Sequence, residues 1–376
     1  MDRSDIKIIA NYLPQYHQIP ENDKWWGEGF TDWVAARNAE PIYKGHKQPK
    51  IPLNNNYYDL ADPSVLEWQA RLAREFGIWG FGIYHYWFSS EQNLLTKPAE
   101  NLLEHPEIDI NFLFIWDNIS WIRSWSNVMG NDWSPCFDSD NTSEENMDLM
   151  HESGILAELK YGDESSWKKH FDYLLPFFLD SRYMKIDGKP VFAFMCPNHG
   201  EETLIEMFEY WDDLARQHGF PGIIPLARNR WEGRKFEYGF DYRPSSVNNL
   251  RDLFTVGINN KLNRKIPHLR RHSYDSKWKN IIANAKHTKD SKSFYSGFVG
   301  YDDTPRRGKN ALIIEGQTPQ KFQKYLSELM DISALQGKEY IFLTAWNEWG
   351  EGACLEPDEE NGYAYLEAVK SALCTK

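Results

Sequence analysis

The chain has 376 residues, of which 41% are hydrophobic and 26% charged, with a formal net charge of −13. That length allows one large domain with a substantial core, or two smaller ones. The acidic balance weighs against a general nucleic-acid binder, and no apolar run approaches membrane-spanning length. Aromatic residues make up 15%, with 16 Trp. This excess suits a saccharide binder, whose indoles stack on sugar faces, and equally suits an aromatic core. The stretch Met1-Asp2-Arg3-Ser4-Asp5-Ile6-Lys7 has no apolar leader segment, so the sequence as given reads as cytoplasmic, or as periplasmic or secreted if a leader was removed. Cys136, Cys196, Cys354 and Cys374 are scattered without metal-type spacing, in keeping with reduced thiols.

Residues 7–13 read as a short apolar strand closed by Pro14. An aromatic and polar stretch follows, running from Gln15 and His17 through Trp25, Trp26 and Phe30 to Asp32 and Trp33. Loops that long in a compact domain are usually functional, so Asn11, Tyr12, Gln15, His17, Trp26 and Trp33 become candidate site-lining residues. Asp62-Pro63 predicts a capped helix start, and the helical spacing runs to Gly77. Residues 78–88 form the second strand, ending in His85, Tyr86 and Trp87; residues 111–116 form the third, ending in Trp116 and followed by Asp117 and Asn118.

Residues 123–163 read as a Ser/Asn/Asp/Glu-rich insertion, followed by a helix over 165–179, a strand over 190–195 and a helix over 201–218. Residues 222–227 give a fifth strand leading into Arg228, and 240–243 a weak sixth. A second insertion is expected over about 260–293, basic in character (Arg264, Arg270, Arg271, Lys277, Lys279), with a helix around 278–285. Such a run reads as a solvated face, or as a contact for acidic polysaccharide or membrane phosphates. Residues 294–299 form a seventh strand before Tyr301, Asp302, Asp303, Arg306 and Arg307; these arginines suit an anionic substrate or an exposed salt-bridged turn. Thr318-Pro319 caps a helix to about Gly337, and a last helix spans 363–373.

The eighth strand, residues 340–345, runs into Trp346-Asn347-Glu348-Trp349-Gly350-Glu351-Gly352. Carboxylates beside a buried strand are rare unless paired or used, and tryptophans on both sides of a glutamate are unusual in a solvated loop. Paired carboxylates with aromatic platforms are what glycosidic cleavage needs: one protonates the leaving oxygen while the other attacks or supports developing charge. Glu348 and Glu351 are therefore the candidate catalytic pair, with Trp346, Asn347 and Trp349 beside the substrate. Strands alternating with helices, with polar and aromatic clusters after the strand ends, predict a single (β/α)8 barrel over residues 1–376. A doubly wound sheet is the alternative, but no Gly-x-Gly-x-x-Gly turn follows any strand.

Several blocks together resemble the WbsX-like family: Tyr12-Leu-Pro-Gln-Tyr-His17, Gly29-Phe-Thr-Asp-Trp33, residues 77–88, Asp187-Gly-Lys-Pro-Val191 and Trp346-Asn-Glu-Trp-Gly-Glu-Gly352. That family is often labelled "glycosyltransferase WbsX" and is related to glycoside hydrolase family 99. The resemblance implies a (β/α)8 barrel acting on bacterial surface polysaccharides. It places the family 99 carboxylates on Glu348, the base toward a sugar 2-hydroxyl, and Glu351, the general acid and then base. Family 99 usually has His where this chain has Gly350.

Strand-end position makes His85, Tyr86, Trp87, Trp116, Asp117, Asn118, Arg228, Tyr301 and Asp302 candidate sugar-binding residues. Asp138-Ser-Asp140 matches the metal-binding Asp-x-Asp of nucleotide-sugar transferases, but its polar insertion favours a solvated loop. No metal-type cluster, nucleophile elbow or phosphate loop is evident, so no metal or cofactor is expected. Three functions remain open: an endo-acting retaining glycosidase, a glycosyltransferase of surface-polysaccharide assembly, and a non-catalytic glycan-binding barrel.

Overall fold

In the computed structural model, residues 1–122, 155–228, 235–244, 270–288, 290–308 and 311–374 are described. Among them, eight parallel strands follow one another around a closed ring. They are β1 (Lys7–Tyr12), β2 (Ile78–Ser89), β3 (Asn111–Trp116), β4 (Lys189–Phe194), β5 (Ile224–Arg228), β6 (Tyr238–Phe240), β7 (Ser293–Phe298) and β8 (Tyr340–Thr344). The ring closes where β1 pairs with both β8 (Lys7 opposite Tyr340) and β2 (Ile8 opposite Ile78). This is the expected (β/α)8 barrel. The strands read as continuous apolar runs because both faces are covered, one by the barrel interior and one by helices.

The helices start and stop where local chemistry dictates. Pro63–Glu75 begins at Asp62, whose carboxylate accepts from the Ser64 N–H at 2.9 Å, and is followed by Gly77 at φ +86°. Pro319–Leu335 begins at Thr318, whose hydroxyl accepts from the Lys321 N–H at 3.2 Å. Tyr274–His287 falls within the expected 260–293 insertion, yet it is a barrel helix. It buries Trp278, Ile281 and Ile282, and even Lys277, against the sheet and a neighbouring helix. Trp278 reaches β7 because position 297 is glycine: a Cβ there would lie 2.5 Å from the indole. Residues 261–269 of the basic run and Asp138-Ser-Asp140 lie outside the described residues.

The long stretch after β1 is not an unstructured loop. It contains helices Pro20–Trp26 and Asp32–Arg37, and it folds over the barrel mouth onto the chain leaving β8. No helix among the described residues is long and apolar enough to cross a membrane.

Candidate functional site

Beyond β8 the chain makes a tight hairpin. Asn347–Glu348 pairs antiparallel with Ala353–Cys354, and Trp349–Glu351 forms a 3-10 turn between them, closed by Gly352 at φ +59°. The β1 segment holds this hairpin from below. Asn347 accepts from the Leu13 N–H at 2.7 Å and donates to the Leu13 carbonyl at 3.0 Å. The Tyr16 hydroxyl donates to the Asn347 carbonyl at 2.5 Å and accepts from the Trp349 N–H at 3.1 Å. Beneath them, Glu356 accepts from Tyr58 (2.8 Å), Gln69 (2.7 Å) and the Trp349 indole (2.7 Å). The turn is thus braced on one side by a buried polar network, which fixes the direction of the glutamates above it.

Glu348 and Glu351 both face a cavity of about 230 Å³ at the C-terminal end of the barrel. Its aromatic walls are Trp26, Phe30 and Trp121 with Tyr84, Tyr86 and Tyr242; Leu13, Leu156 and Met195 add apolar surface. Gln15, Asn22, Asp117, Arg306 and Arg307 complete the polar lining. Apolar walls with a few convergent polar groups are the usual make-up of a small-molecule site.

Arg306 joins the two glutamates. Its Nη1 donates to Glu351 at 2.8 Å and its Nη2 to Glu348 at 3.2 Å. The same guanidinium grips Asp32 through Nη2 at 3.0 Å and Nε at 3.3 Å. Three carboxyl groups therefore surround one buried cation. Burial pushes the Glu348 carboxyl well above its ordinary range; Glu351 and Asp32 push the same way, and Arg306 only partly offsets them. Across the cavity, burial raises Asp117 to about 6 against the opposing charge of Arg228.

The structure brings Gln15, Trp26, Tyr86, Asp117, Glu348 and Glu351 to one cavity. The other sequence candidates stand elsewhere, chiefly because their apolar bodies fill the core. Tyr12 donates to Gln69, the Trp33 indole to the Tyr58 carbonyl, and Trp346 packs on Phe81. Trp349 and Asn347 brace the hairpin rather than face a sugar. Asn11 and His17 are buried, Asn11 within reach of Thr344 at 3.5 Å. His85 lies 2.8 Å from His170, and burial lowers its pKa to about 3. Trp87 stacks on that same His170, while the Trp116 indole donates to the Trp87 carbonyl. Asn118 clamps the end of β3 to β4 through the Met195 and Cys196 N–H groups. The Arg228 guanidinium lies over the Tyr242 ring, 5.7 Å from its centroid, and the Tyr301 hydroxyl donates to Asp303 at 3.4 Å. Asp302 is held by His46 and Gln48, away from the cavity. Arg306 does not lie in an exposed turn: it is buried at the cavity wall with its guanidinium held by three carboxylates.

Strand alternation explains part of this. Tyr84 and Tyr86 face the cavity, so His85 and Trp87 between and beyond them face the helices. Period-two reasoning was available in the sequence and would have exchanged His85 and Trp87 for Tyr84. Asp32, Asn22, Phe30, Trp121 and Tyr242 were missed as well. Of these, Asp32 stood in the Gly29–Trp33 block, though nothing there marked its partner.

A closed parallel barrel with two glutamates at its C-terminal rim places the protein among (β/α)8 barrels that carry a carboxylate site. The family described as glycosyltransferase WbsX matches residues 8–369, and the chain belongs to it. It is 28% identical over 373 residues to "uncharacterized protein WxcX" of Xanthomonas campestris pv. campestris strain B100, covering 97% of this chain and 49% of that protein. The chain thus spans about half the length of the curated relatives it matches. Among solved structures, it is similar to the GH99 endo-α-mannosidase of Bacteroides thetaiotaomicron, at TM-score 0.56 and 13% identity over 99% of this chain and 97% of that one. A glycoside hydrolase-like protein aligns at TM-score 0.55 and 12% identity, over 99% of this chain and 95% of that one. At such identities the likeness is one of fold.

Proposed function

We propose that the protein is an endo-acting, retaining glycoside hydrolase that cleaves a bacterial surface polysaccharide of the O-antigen or capsule type. The observation that carries this reading is the Glu348/Glu351 pair, two carboxyls from one hairpin converging on an aromatic-walled cavity. Glutamates from one turn reach the same side of a bound sugar more readily than its opposite faces, and this arrangement favours participation by the sugar itself. Glu348 takes the proton of the 2-hydroxyl, whose oxygen attacks the anomeric carbon as the glycosidic bond breaks; Glu351 protonates the departing oxygen. In the second half, Glu351 takes a proton from water, which opens the 1,2-anhydro sugar while Glu348 returns its proton to the 2-oxygen. A carboxyl whose proton affinity is raised by burial is the stronger base once ionised, which suits Glu348 for this role in its ionised form. That the structurally similar Bacteroides thetaiotaomicron protein is an endo-α-mannosidase adds support.

Glycosyl transfer is the second reading, favoured by the family's description. Incubating the protein with purified polysaccharide and EDTA, without any nucleotide sugar, tests the proposal. New reducing ends that depend on both glutamates support hydrolysis. Turnover only when a sugar donor is supplied overturns it in favour of transfer. Binding shared by wild type, Glu348→Gln and Glu351→Gln, with no turnover by wild type with or without a sugar donor, overturns it in favour of a glycan-binding barrel.

A further inference from the structure

Arg306 comes from the loop after β7, Asp32 from the loop after β1, and the glutamates from the hairpin after β8. The three segments meet only because residue 350 has no side chain. A Cβ at Gly350 would lie 2.7 Å from Arg306 Nε and 2.8 Å from Asp32 Oδ2, occupying the place where the guanidinium and carboxylate join. Asp32 grips Arg306 with both carboxylate oxygens. The guanidinium then presents Nη1 to one glutamate and Nη2 to the other, a forked geometry that Lys does not offer.

We infer that Arg306, seated on Asp32 in the space left by Gly350, is a positioning residue: it holds Glu348 and Glu351 convergent and places a fixed positive charge between them. Around the one guanidinium stand three carboxyl groups; burial, Glu351 and Asp32 all favour the protonated form of Glu348, and Arg306 opposes it. Without Arg306, Glu348 takes up its proton more readily. The other titratable groups facing the cluster do not replace this charge. Tyr16, Tyr84, Tyr86, Tyr242 and Tyr301 have pKa values raised by burial and stay neutral. Arg307 pairs with Asp303 at 3.1 Å, and Asp117 adds a further acid across the cavity.

The kinetic part of this inference rests on the glycosidase reading; the titration part does not. Arg306→Gln, Arg306→Lys and Gly350→Ala are compared with wild type in two measurements. In the first, kcat/KM is followed against pH on the polysaccharide. Arg306→Gln is expected to move the acid limb about one to three pH units upward and to lower kcat about 100-fold from misplacement, with KM changed less. Arg306→Lys should keep the limb near its wild-type position while losing kcat. Gly350→Ala, which retains every charge but displaces the guanidinium, should shift the limb as Arg306→Gln does. The second measurement needs no substrate: the melting temperature of each variant between pH 6 and pH 10. A carboxyl raised in the folded state loses stability as pH rises through its folded value, about 8 for Glu348 in wild type, and this fall should continue to higher pH in Arg306→Gln and Gly350→Ala. Should Arg306→Gln not fold, Arg306→Lys and Gly350→Ala carry the comparison. Inactivity of the wild type on every glycan removes the glycosidase reading and leaves the melting series to decide. Acid limbs and melting slopes matching wild type in Arg306→Gln, or in Gly350→Ala if the former is unfolded, overturn the inference.

Discussion

Glu356→Gln exchanges a carboxylate for an amide of nearly the same shape at a position 3% exposed, where Tyr58, Gln69 and the Trp349 indole all donate to it. Two effects follow. The amide turns one acceptor into a donor, so the network loses about one bond, at a cost of about 1–3 kcal/mol. Against this, burial raises the Glu356 carboxyl from 4.5 to about 7, and at about 1.36 kcal/mol per pH unit that rise is worth about 3 kcal/mol. The sign is set by proton linkage. A carboxyl whose folded-state pKa lies above its unfolded one stabilises most below the unfolded value, and that stability is lost as pH rises through the folded value. Glutamine does not titrate. Urea unfolding at pH 5 and pH 8 should therefore show the variant gaining on wild type by about 2–3 kcal/mol at the higher pH. Other titrating groups are common to both proteins and drop out of the difference. A difference that stays constant with pH would mean the three donors keep Glu356 ionised throughout, and the burial argument would be wrong.

Glu348→Gln and Glu351→Gln should each lower kcat/KM about 10²–10⁴-fold and remove one limb of its bell-shaped pH dependence, while calorimetry finds oligosaccharide affinity within about threefold of wild type; retained turnover in both variants refutes the pair. Asp117, raised to about 6 by burial, accepts hydrogen bonds from a sugar best once ionised. KM should thus fall between pH 5 and pH 7.5 in wild type and stay flat in Asp117→Asn. Gly297→Ala drives a methyl to within 2.5 Å of the buried Trp278 indole. Overpacking of that kind costs about 1–3 kcal/mol, to be read as a lower urea midpoint without a change in substrate specificity.

Backbone order was written locally and could be read locally. Apolar runs gave the strands, Asp62-Pro63 and Thr318-Pro319 gave helix starts, and the abrupt change after residue 345 gave the glutamates. The site's supporting contacts could not be read that way, because they join side chains remote in sequence. Arg306 meets Asp32 across 274 positions, and Gln69 meets Glu356 across 287. A lone Arg or Gln carries no mark of such a partner. The tryptophans misled for a related reason. Their abundance suggested sugar platforms, but Trp116, Trp346 and Trp349 are fully buried, and a large apolar ring in the sequence does not show whether it faces a ligand or a neighbouring helix. Gly350 was visible as a departure from family 99. Its meaning appeared only once the guanidinium was seen lying where a side chain would stand.

The first and last strands of the ring are neighbours, and the braces of the two-glutamate hairpin cross that seam, Leu13 to Asn347, Tyr16 to Trp349 and Tyr58 to Glu356, while Asp32 reaches past it to Arg306 after β7. During translation the ribosome therefore delivers one half of each contact more than 250 residues ahead of the other. A nascent chain halted before residue 340 holds Asp32, Tyr16 and Tyr58 waiting and carries neither acid of the pair. Stalled or clipped products of this kind lack the whole two-glutamate hairpin, and its braces form only once the last strand has joined the first.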